Sequence, residues 1–144
     1  MATLADYRNE RLKKLETIKA LGLDPYPAHA ERTIGAGEIA PKFDELEGSE
    51  QTVVGRIFGI RKFGKIAFIV LRDMTGQIQL FLHDGDVANL DPAKNLLGIK
   101  ELNLLDSGDF IQATGKVIKT KTGEVSLGLT ELKLLVNSLR PMPD

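Results

Sequence analysis

The stretch KIAFIVLRDMTGQIQLFLH, residues 65–83, most constrains what this chain can fold into. Two apolar runs of strand length flank the turn signal MTG. In the second run Ile78, Leu80 and Leu82 alternate with polar or aromatic residues. Because successive side chains of a strand point to opposite faces, this run would bury one face and expose the other. The stretch therefore predicts a β-hairpin with one face in a hydrophobic core.

The strand pattern continues on both sides of this hairpin. Strands are predicted at residues 52–60, 66–73, 77–83, 110–120 and 124–135, and a helix or two within residues 86–109. Three strands, a helical insertion and two strands are the order of an OB-fold, a five-stranded Greek-key barrel that commonly binds oligonucleotides or oligosaccharides. Gly55 and Gly59 in the first strand suit the bend of a closing barrel. A small β-sandwich is the alternative.

An amphipathic helix is predicted before the strands, from about Thr3 to Leu21. Thr3 can cap it with Asp6 as the reciprocal partner, and Gly22 can end it. Its predicted apolar stripe consists of Leu4, Tyr7, Leu12, Leu15 and Ile18. Pro25 and Pro27 prevent the helix from resuming, and a short helix is expected within residues 36–48. Residues 1–50 would thus form the helix and a connection, and residues 51–144 the barrel, as one compact unit.

Composition excludes several classes of protein. The 144 residues are 42% hydrophobic and 27% charged, as in soluble globular domains. No apolar run approaches the roughly 18 residues of a membrane helix, and the N-terminus mixes acids and bases, unlike a signal peptide. We therefore expect a cytoplasmic protein without membrane contact. With no cysteine and only His29 and His83, we expect no metal site.

Catalytic groups are not evident. The Gly-Lys pairs in GKIAF and TKTGEV lack the spacing of a phosphate-binding loop, and no nucleophile accompanies His83 and Asp84. We expect no catalytic residue in this chain.

Charge is distributed unevenly along the chain, although its net value is only −1. Five basic residues and no acid lie between Gln51 and Arg72, whereas six acids lie between Asp84 and Asp109. A locally positive end of the fold would favour a polyanion, but a solvated sheet edge would look the same.

The outward face of the barrel is the predicted site. In the third strand Gln77, Gln79, Phe81 and His83 should point out. In the second, the pattern is less decisive: Ala67, Ile69 and Leu71 can form the inward set, which would place Phe68, Val70 and Arg72 on the outer face with Gln79. In the fifth, Val125, Leu127 and Leu129 should point in and Glu124, Ser126, Gly128 and Thr130 out.

These outward residues include the parts of a single-stranded nucleic-acid site. A ring such as Phe68 can stack on any base, and the amide of Gln79 can address the Watson–Crick edge of an unpaired base. Uracil presents acceptor, donor and acceptor along that edge, which an amide, a guanidinium and a carboxylate can match. The alternative is that Phe68 belongs to the core and Gln79 is merely solvated.

Several motifs resemble one known family. VVGRIFGIRKFGKIAFIVLRDMTGQIQLFL, LLDSGDFIQATGKVIKTKTGEVSLGLTELKLLVNSLRPMPD and RLKKLETIKALGLDPYP are together similar to the N-terminal anticodon-binding domain of class II lysyl-tRNA synthetases. GKIAFIVLRD and GQIQL are shared with aspartyl and asparaginyl relatives, whereas TKTGE and SLRPMPD favour the lysine branch. The resemblance covers nearly the whole chain, except residues 83–106.

This resemblance implies an OB-fold that binds the anticodon loop of lysine tRNA. Phe68 would stack on the central uridine and Gln79 would read its edge, with Arg61 and Glu124 completing recognition. Phosphate contacts are expected from Lys62, Lys65 and Lys121.

The resemblance also implies that the chain is a fragment that cannot aminoacylate. ATP, magnesium and lysine would bind only in an absent catalytic domain, so no cofactor is expected here. The full-length enzyme would be a homodimer.

Other functions fit the same fold. They are a stand-alone OB module for single strands, a protein adaptor, and the equivalent domain of an aspartyl- or asparaginyl-tRNA synthetase.

Overall fold

The computed structural model describes residues 3–24 and 30–136. Its helices are α1 (Leu4–Ala20) and α2 (Phe43–Leu46), and its strands are β1 (Glu50–Phe63), β2 (Ile66–Asp73), β3 (Gly76–His83), β4 (Phe110–Lys119) and β5 (Val125–Val136). Short 3₁₀ helices span Ala36–Glu38, Ala40–Lys42, Pro92–Lys94 and Ile99–Leu104. No helix in these two ranges is both long and apolar enough to cross a membrane.

The strands close into a barrel in the order β1-β2-β3-β5-β4. The β3–β5 contact is parallel, whereas β1–β2, β2–β3, β1–β4 and β4–β5 are antiparallel. The predicted OB-fold is therefore confirmed, and the sandwich alternative is wrong. The parallel contact joins strands that are separated in sequence by β4, and it brings the outward residues of β3 beside those of β5.

The predicted faces of β2 and β3 are confirmed. Ala67, Ile69 and Leu71 on β2 and Leu80 and Leu82 on β3 are completely buried. Their strand neighbours alternate with them as partly buried or exposed residues. Burying each large aliphatic side chain contributes roughly 1.5–3 kcal/mol. This energy fixes the register, because a slip of one residue would move the whole apolar set to solvent.

Strand β1 is longer than predicted and carries a bulge. It begins at Glu50 and includes Arg61, Lys62 and Phe63, so the turn predicted over residues 61–65 shrinks to Gly64 and Lys65. Gly64 has a φ of 60°, which a tight turn favours and glycine adopts freely.

The bulge of β1 lies opposite β2. The pairing with β2 shifts between Ile57 and Gly59, which leaves Phe58 as the extra residue. Gly55 allows a close approach of β2, since a Cβ there would lie 2.5 Å from the carbonyl oxygen of Arg72.

Helix α1 begins as predicted. Asp6 N donates to Thr3 Oγ1 at 3.1 Å and Thr3 N donates to Asp6 Oδ2 at 3.0 Å, which is the expected capping box. The hydrogen bonds to the Asp6 carboxyl, first the one from the Thr3 backbone, lower its pKa. Gly22 follows the helix with a φ of 84°.

The predicted apolar stripe of α1 is only partly correct. Leu15 and Ile18 are buried, but Leu4 is 67% and Leu12 37% exposed. The barrel-facing stripe is instead Arg11, Leu15 and Ile18, an i, i+4, i+7 spacing. Arg11 turns inward because it pairs with two carboxylates of the segment before β4.

Those carboxylates belong to Asp106 and Asp109. Arg11 binds both and is 2% exposed, and Lys14 Nζ reaches Asp106 Oδ2 at 2.9 Å. Asp109 is completely buried. The helix is thus held to the barrel by a buried ion pair as well as by two apolar residues.

Three further expectations have plain outcomes. The short helix predicted within residues 36–48 is present as two 3₁₀ turns and α2. The helical segment predicted within residues 86–109 is present as two 3₁₀ helices. Pro25, Pro27 and His29 lie outside the described residues.

Candidate nucleic-acid interface

A groove of about 620 Å³ crosses the outward face of the barrel. We call it the central groove. Its walls come from the ends of β1 and β4, from β2 and β3, and from the β4–β5 turn. The lining residues are Arg61, Ile66, Phe68, Gln79, Phe81, Ile118, Lys119, Thr120, Lys121 and Thr122. The structure therefore brings together three of the four predicted base-contacting residues, and Lys121 with them.

Phe68 lies on the groove wall at intermediate burial and is not a core residue. Its ring makes edge contacts with the rings of Phe81, at a centroid distance of 5.3 Å, and Phe63, at 6.3 Å. The guanidinium carbon of Arg61 lies 5.6 Å from the centre of the Phe68 ring. Phe68 is thus a fixed ring on a surface, which is the geometry that base stacking requires.

Gln79 is held by a hydrogen-bonded chain. Its Nε2 donates to Ser126 Oγ at 3.0 Å, and Ser126 Oγ donates to the backbone oxygen of Glu124 at 3.3 Å. Because the serine proton is directed to that carbonyl, Oγ accepts from the amide nitrogen. Oε1 of Gln79 has no donor among residues 3–24 and 30–136, and it is the acceptor that Gln79 offers to a ligand.

Ser126 corrects the prediction for β5. It was expected on the exposed outer face, but it is completely buried. The reason is the parallel contact, in which Ser126 pairs with Gln79. The glutamine side chain covers the serine, so Ser126 positions Gln79 instead of meeting solvent. Leu127 and Leu129 are buried as predicted, and Val125 is partly buried.

Glu124 lies in a second depression of about 320 Å³, which we call the side groove. Its walls are Ala40, Val70, Gln77, Ile78, Gln79, Gly123, Glu124 and Val125. The Glu124 backbone is held by the β4–β5 turn, since Thr120 N donates to its oxygen at 2.9 Å. Gln79 lines both grooves, so it is shared by the groove that contains Phe68 and the groove that contains Glu124.

Two of the predicted phosphate-binding lysines do not line either groove. Lys62 pairs with Ala67, whose side chain is buried inside the barrel, whereas Arg61 pairs with Phe68. Paired residues share a face, so Lys62 projects on the side of the hairpin opposite Arg61. Lys65 is exposed in the turn after β1.

Phe63 is a groove-side residue that was missed. It is 56% exposed and its ring contacts Phe68. The signal for it was available, because Phe63 lies two residues after Arg61 and therefore on the same face of an extended strand. The predicted turn over residues 61–65 includes Phe63, whereas the structure places it at the end of β1.

Comparison with known proteins decides the family. A family model described as an OB-fold nucleic acid binding domain matches residues 51–141. The chain belongs to this family. The matched residues include all of the barrel strands except Glu50 and every residue of both grooves except Ala40.

Relatives of this OB-fold domain carry the name lysine–tRNA ligase. Those of Clostridium novyi and Clostridium tetani are each 40% identical to it over 136 residues, or 94% of the chain. That of Clostridium acetobutylicum is 40% identical over 144 residues, or 99% of the chain. The chain spans about a quarter of the length of these relatives, from 25% to 27%.

Proposed function

We propose that this OB-fold domain binds the anticodon loop of lysine tRNA and recognises its central uridine. The observation that carries the proposal is the position of Gln79, which is held by Ser126 at the border of the two grooves that contain Phe68 and Glu124. The family and the names of the relatives support an RNA ligand of this kind.

Phe68 and Gln79 have different tasks in this proposal. Stacking on Phe68 contributes roughly 1–3 kcal/mol for any base and so supplies affinity. Gln79 supplies selectivity, because its Oε1 can accept from the N3–H of uracil. Cytosine offers no hydrogen at that nitrogen, so it would leave the Gln79 oxygen unpaired.

Arg61 and Glu124 complete the recognition. Arg61 stands over the Phe68 ring and can donate to a carbonyl oxygen of the stacked uracil. Glu124 can accept from a neighbouring base or ribose hydroxyl in the side groove. Among the three candidate lysines, the geometry favours Lys121 for phosphate, since it lines the central groove.

We further propose that the domain serves a cytoplasmic class II lysyl-tRNA synthetase that is a homodimer. ATP, magnesium and lysine would bind in a separate catalytic domain of that enzyme, and the OB-fold domain itself would need no cofactor. The names of the relatives support the lysine–tRNA ligase part of this assignment.

Binding of labelled anticodon stem-loops, measured by fluorescence anisotropy, tests the proposal. A UUU loop should bind about 5- to 100-fold more tightly than a UCU loop, corresponding to about 1–2.7 kcal/mol for the unpaired acceptor. Phe68→Ala should weaken the binding of both loops by a similar factor. Equal affinity for the two loops would refute uridine recognition, and unchanged affinity in Phe68→Ala would refute stacking.

A further inference from the structure

We propose that Phe58 and Arg72 form a second stacking platform, which holds an unpaired nucleotide of the same RNA loop other than the central one. This inference rests on the proposed function for the identity of the RNA. Neither residue lines the central groove or the side groove, and the family resemblance assigned no role to either.

The two side chains already form a layered pair. The guanidinium carbon of Arg72 lies 4.1 Å from the centre of the Phe58 ring. Arg72 Nη2 donates to Gln77 Oε1 at 2.8 Å, which holds the guanidinium in place. Bases in single-stranded RNA stack on both aromatic rings and guanidinium planes, so this pair offers both surfaces.

The exposure of Phe58 has a structural cause. It is the bulge residue of β1, and it is 38% exposed. Phe58 follows the buried Ile57 and so continues the outward alternation of β1. As the extra residue of the bulge it has no pairing partner on β2, and its ring lies exposed beside Arg72, on the same face as Phe68.

Charge around the platform fits a polyanion. Arg56 and Arg72 are direct partners across β1 and β2 and point outward together. Like charges at paired positions destabilise a sheet. Neither arginine makes an ion pair within the described part of the chain, and Arg56 stands 4.7 Å from the ring centre of Phe110. A phosphate nearby would relieve the repulsion between the two arginines.

Spacing assigns the platform to a different nucleotide. Phe68 and Arg72 are four residues apart on β2, which is about 13 Å at roughly 3.3 Å per residue. Directly stacked bases are only about 3.4 Å apart. The side groove connects the two positions, because Val70, Gln77 and Gln79 all line it. One strand can therefore pass from Phe68 along the side groove to Phe58.

Abasic substitution in the RNA gives the sharpest test. Each nucleotide of a UUU stem-loop is replaced in turn by an abasic ribose, and affinities are measured for wild type, Phe58→Ala and Phe68→Ala. Phe58→Ala should weaken the intact loop about 5- to 100-fold. Loss of one base should weaken binding by the wild type but not by Phe58→Ala. That base should be a different one from the base whose loss no longer weakens binding by Phe68→Ala.

Matched variants separate stacking from charge and from folding. Arg72→Lys keeps the positive charge but removes the planar guanidinium, so it should weaken RNA binding nearly as much as Arg72→Ala. Met74→Ala is the control, because Met74 is a fully exposed apolar residue in the turn two positions after Arg72. It should bind like wild type. Phe58→Leu keeps an apolar side chain but lacks the ring. Loss of the base that stacks on Phe58 should therefore not weaken binding by this variant further.

Each outcome decides between the two proposals. If Phe68→Ala weakens binding and neither Phe58 nor Arg72 variants do, the second platform is refuted and the proposed function stands. If only Phe58 and Arg72 variants weaken binding, the platform is an RNA contact and the central-uridine site is refuted. If no variant changes RNA affinity, both are refuted.

Discussion

Gln79 on β3 donates a 3.0 Å hydrogen bond to the buried hydroxyl of Ser126 on β5. The two residues are 47 positions apart in sequence and are direct partners in the parallel pair that closes the barrel. Closure of the fold and orientation of the recognition amide therefore depend on the same contact. This relationship leads to the first prediction.

Ser126→Ala should reduce discrimination between UUU and UCU loops by about 3- to 10-fold, because one hydrogen bond that orients Gln79 contributes roughly 0.5–1.5 kcal/mol. Anisotropy titration of both loops measures the effect. In a Gln79→Ala background the same substitution should have no further effect on discrimination. Ser49→Ala is the control, since Ser49 bonds the Leu46 carbonyl and lines neither groove. Additive effects of Ser126 and Gln79 would contradict a positioning role.

Lys121 and Lys62 should differ in the salt dependence of binding. Each phosphate contact to a single strand contributes about 0.7 to the slope of log K against log salt. Lys121→Ala should lower the slope by about that amount, because Lys121 lines the central groove. Lys62→Ala should change it much less, because Lys62 projects from the opposite face. Equal losses of slope would show that the RNA follows another path.

The faces of β3 could be predicted because alternation in a strand is a local property. In β3, Leu80 and Leu82 alternate with polar or aromatic residues in the sequence itself. Residues 66–71 of β2 are all apolar, so the sequence left Phe68 open between core and surface. The burial of Ser126 could not be predicted in the same way. It depends on which strand lies beside β3, and that is decided by closure of the whole barrel.

Two other features could not be predicted for a similar physical reason. Arg11 interrupts the apolar pattern of α1, and only the distant carboxylates of Asp106 and Asp109 make its burial favourable. The bulge at Phe58 shifts the phase of β1 after that residue, and Gly59 in the sequence does not by itself locate it. Long-range charge pairing and local strand irregularity therefore cannot be predicted from the periodicity of apolar residues, whereas the burial of apolar side chains can.

Arg11→Leu should lower the free energy of unfolding by about 3–5 kcal/mol, because it leaves the buried Asp109 carboxylate without its cation. Urea unfolding followed by circular dichroism measures this. Lys14→Ala is the matched control, since its contact with Asp106 is partly exposed, and such pairs contribute only about 0–1 kcal/mol. A loss in Arg11→Leu no larger than that in Lys14→Ala would show that the pair does not hold α1 to the barrel.

Asp73 should make stability depend on pH. Burial of its carboxyl favours the neutral form, but hydrogen bonds and a cation favour the anion more strongly, and its pKa is lowered. The favourable partners are the hydroxyl and N–H of Thr75, the N–H of Ala36, and Arg32. Because the folded pKa lies below the unfolded value, near 3.9, the ion stabilises the fold above that value, and the stabilisation is lost as the pH falls through the folded pKa.

Asp73→Asn should therefore be less stable than wild type at pH 7, by about 1–3 kcal/mol for hydrogen bonds to a charged group. The difference should shrink as the pH falls below about 4. Urea unfolding at a series of pH values from 7 downward measures it. A difference that stays constant across this range would contradict the role given to the Asp73 anion.

The central claim is that Gln79 reads the central base of the anticodon, and a double-mutant cycle between them tests it most directly. Wild type and Gln79→Ala are each titrated with UUU and UCU stem-loops at one salt concentration. We predict that wild type prefers UUU by about 5- to 100-fold and that Gln79→Ala loses most of this preference. The same preference in both proteins would contradict the claim.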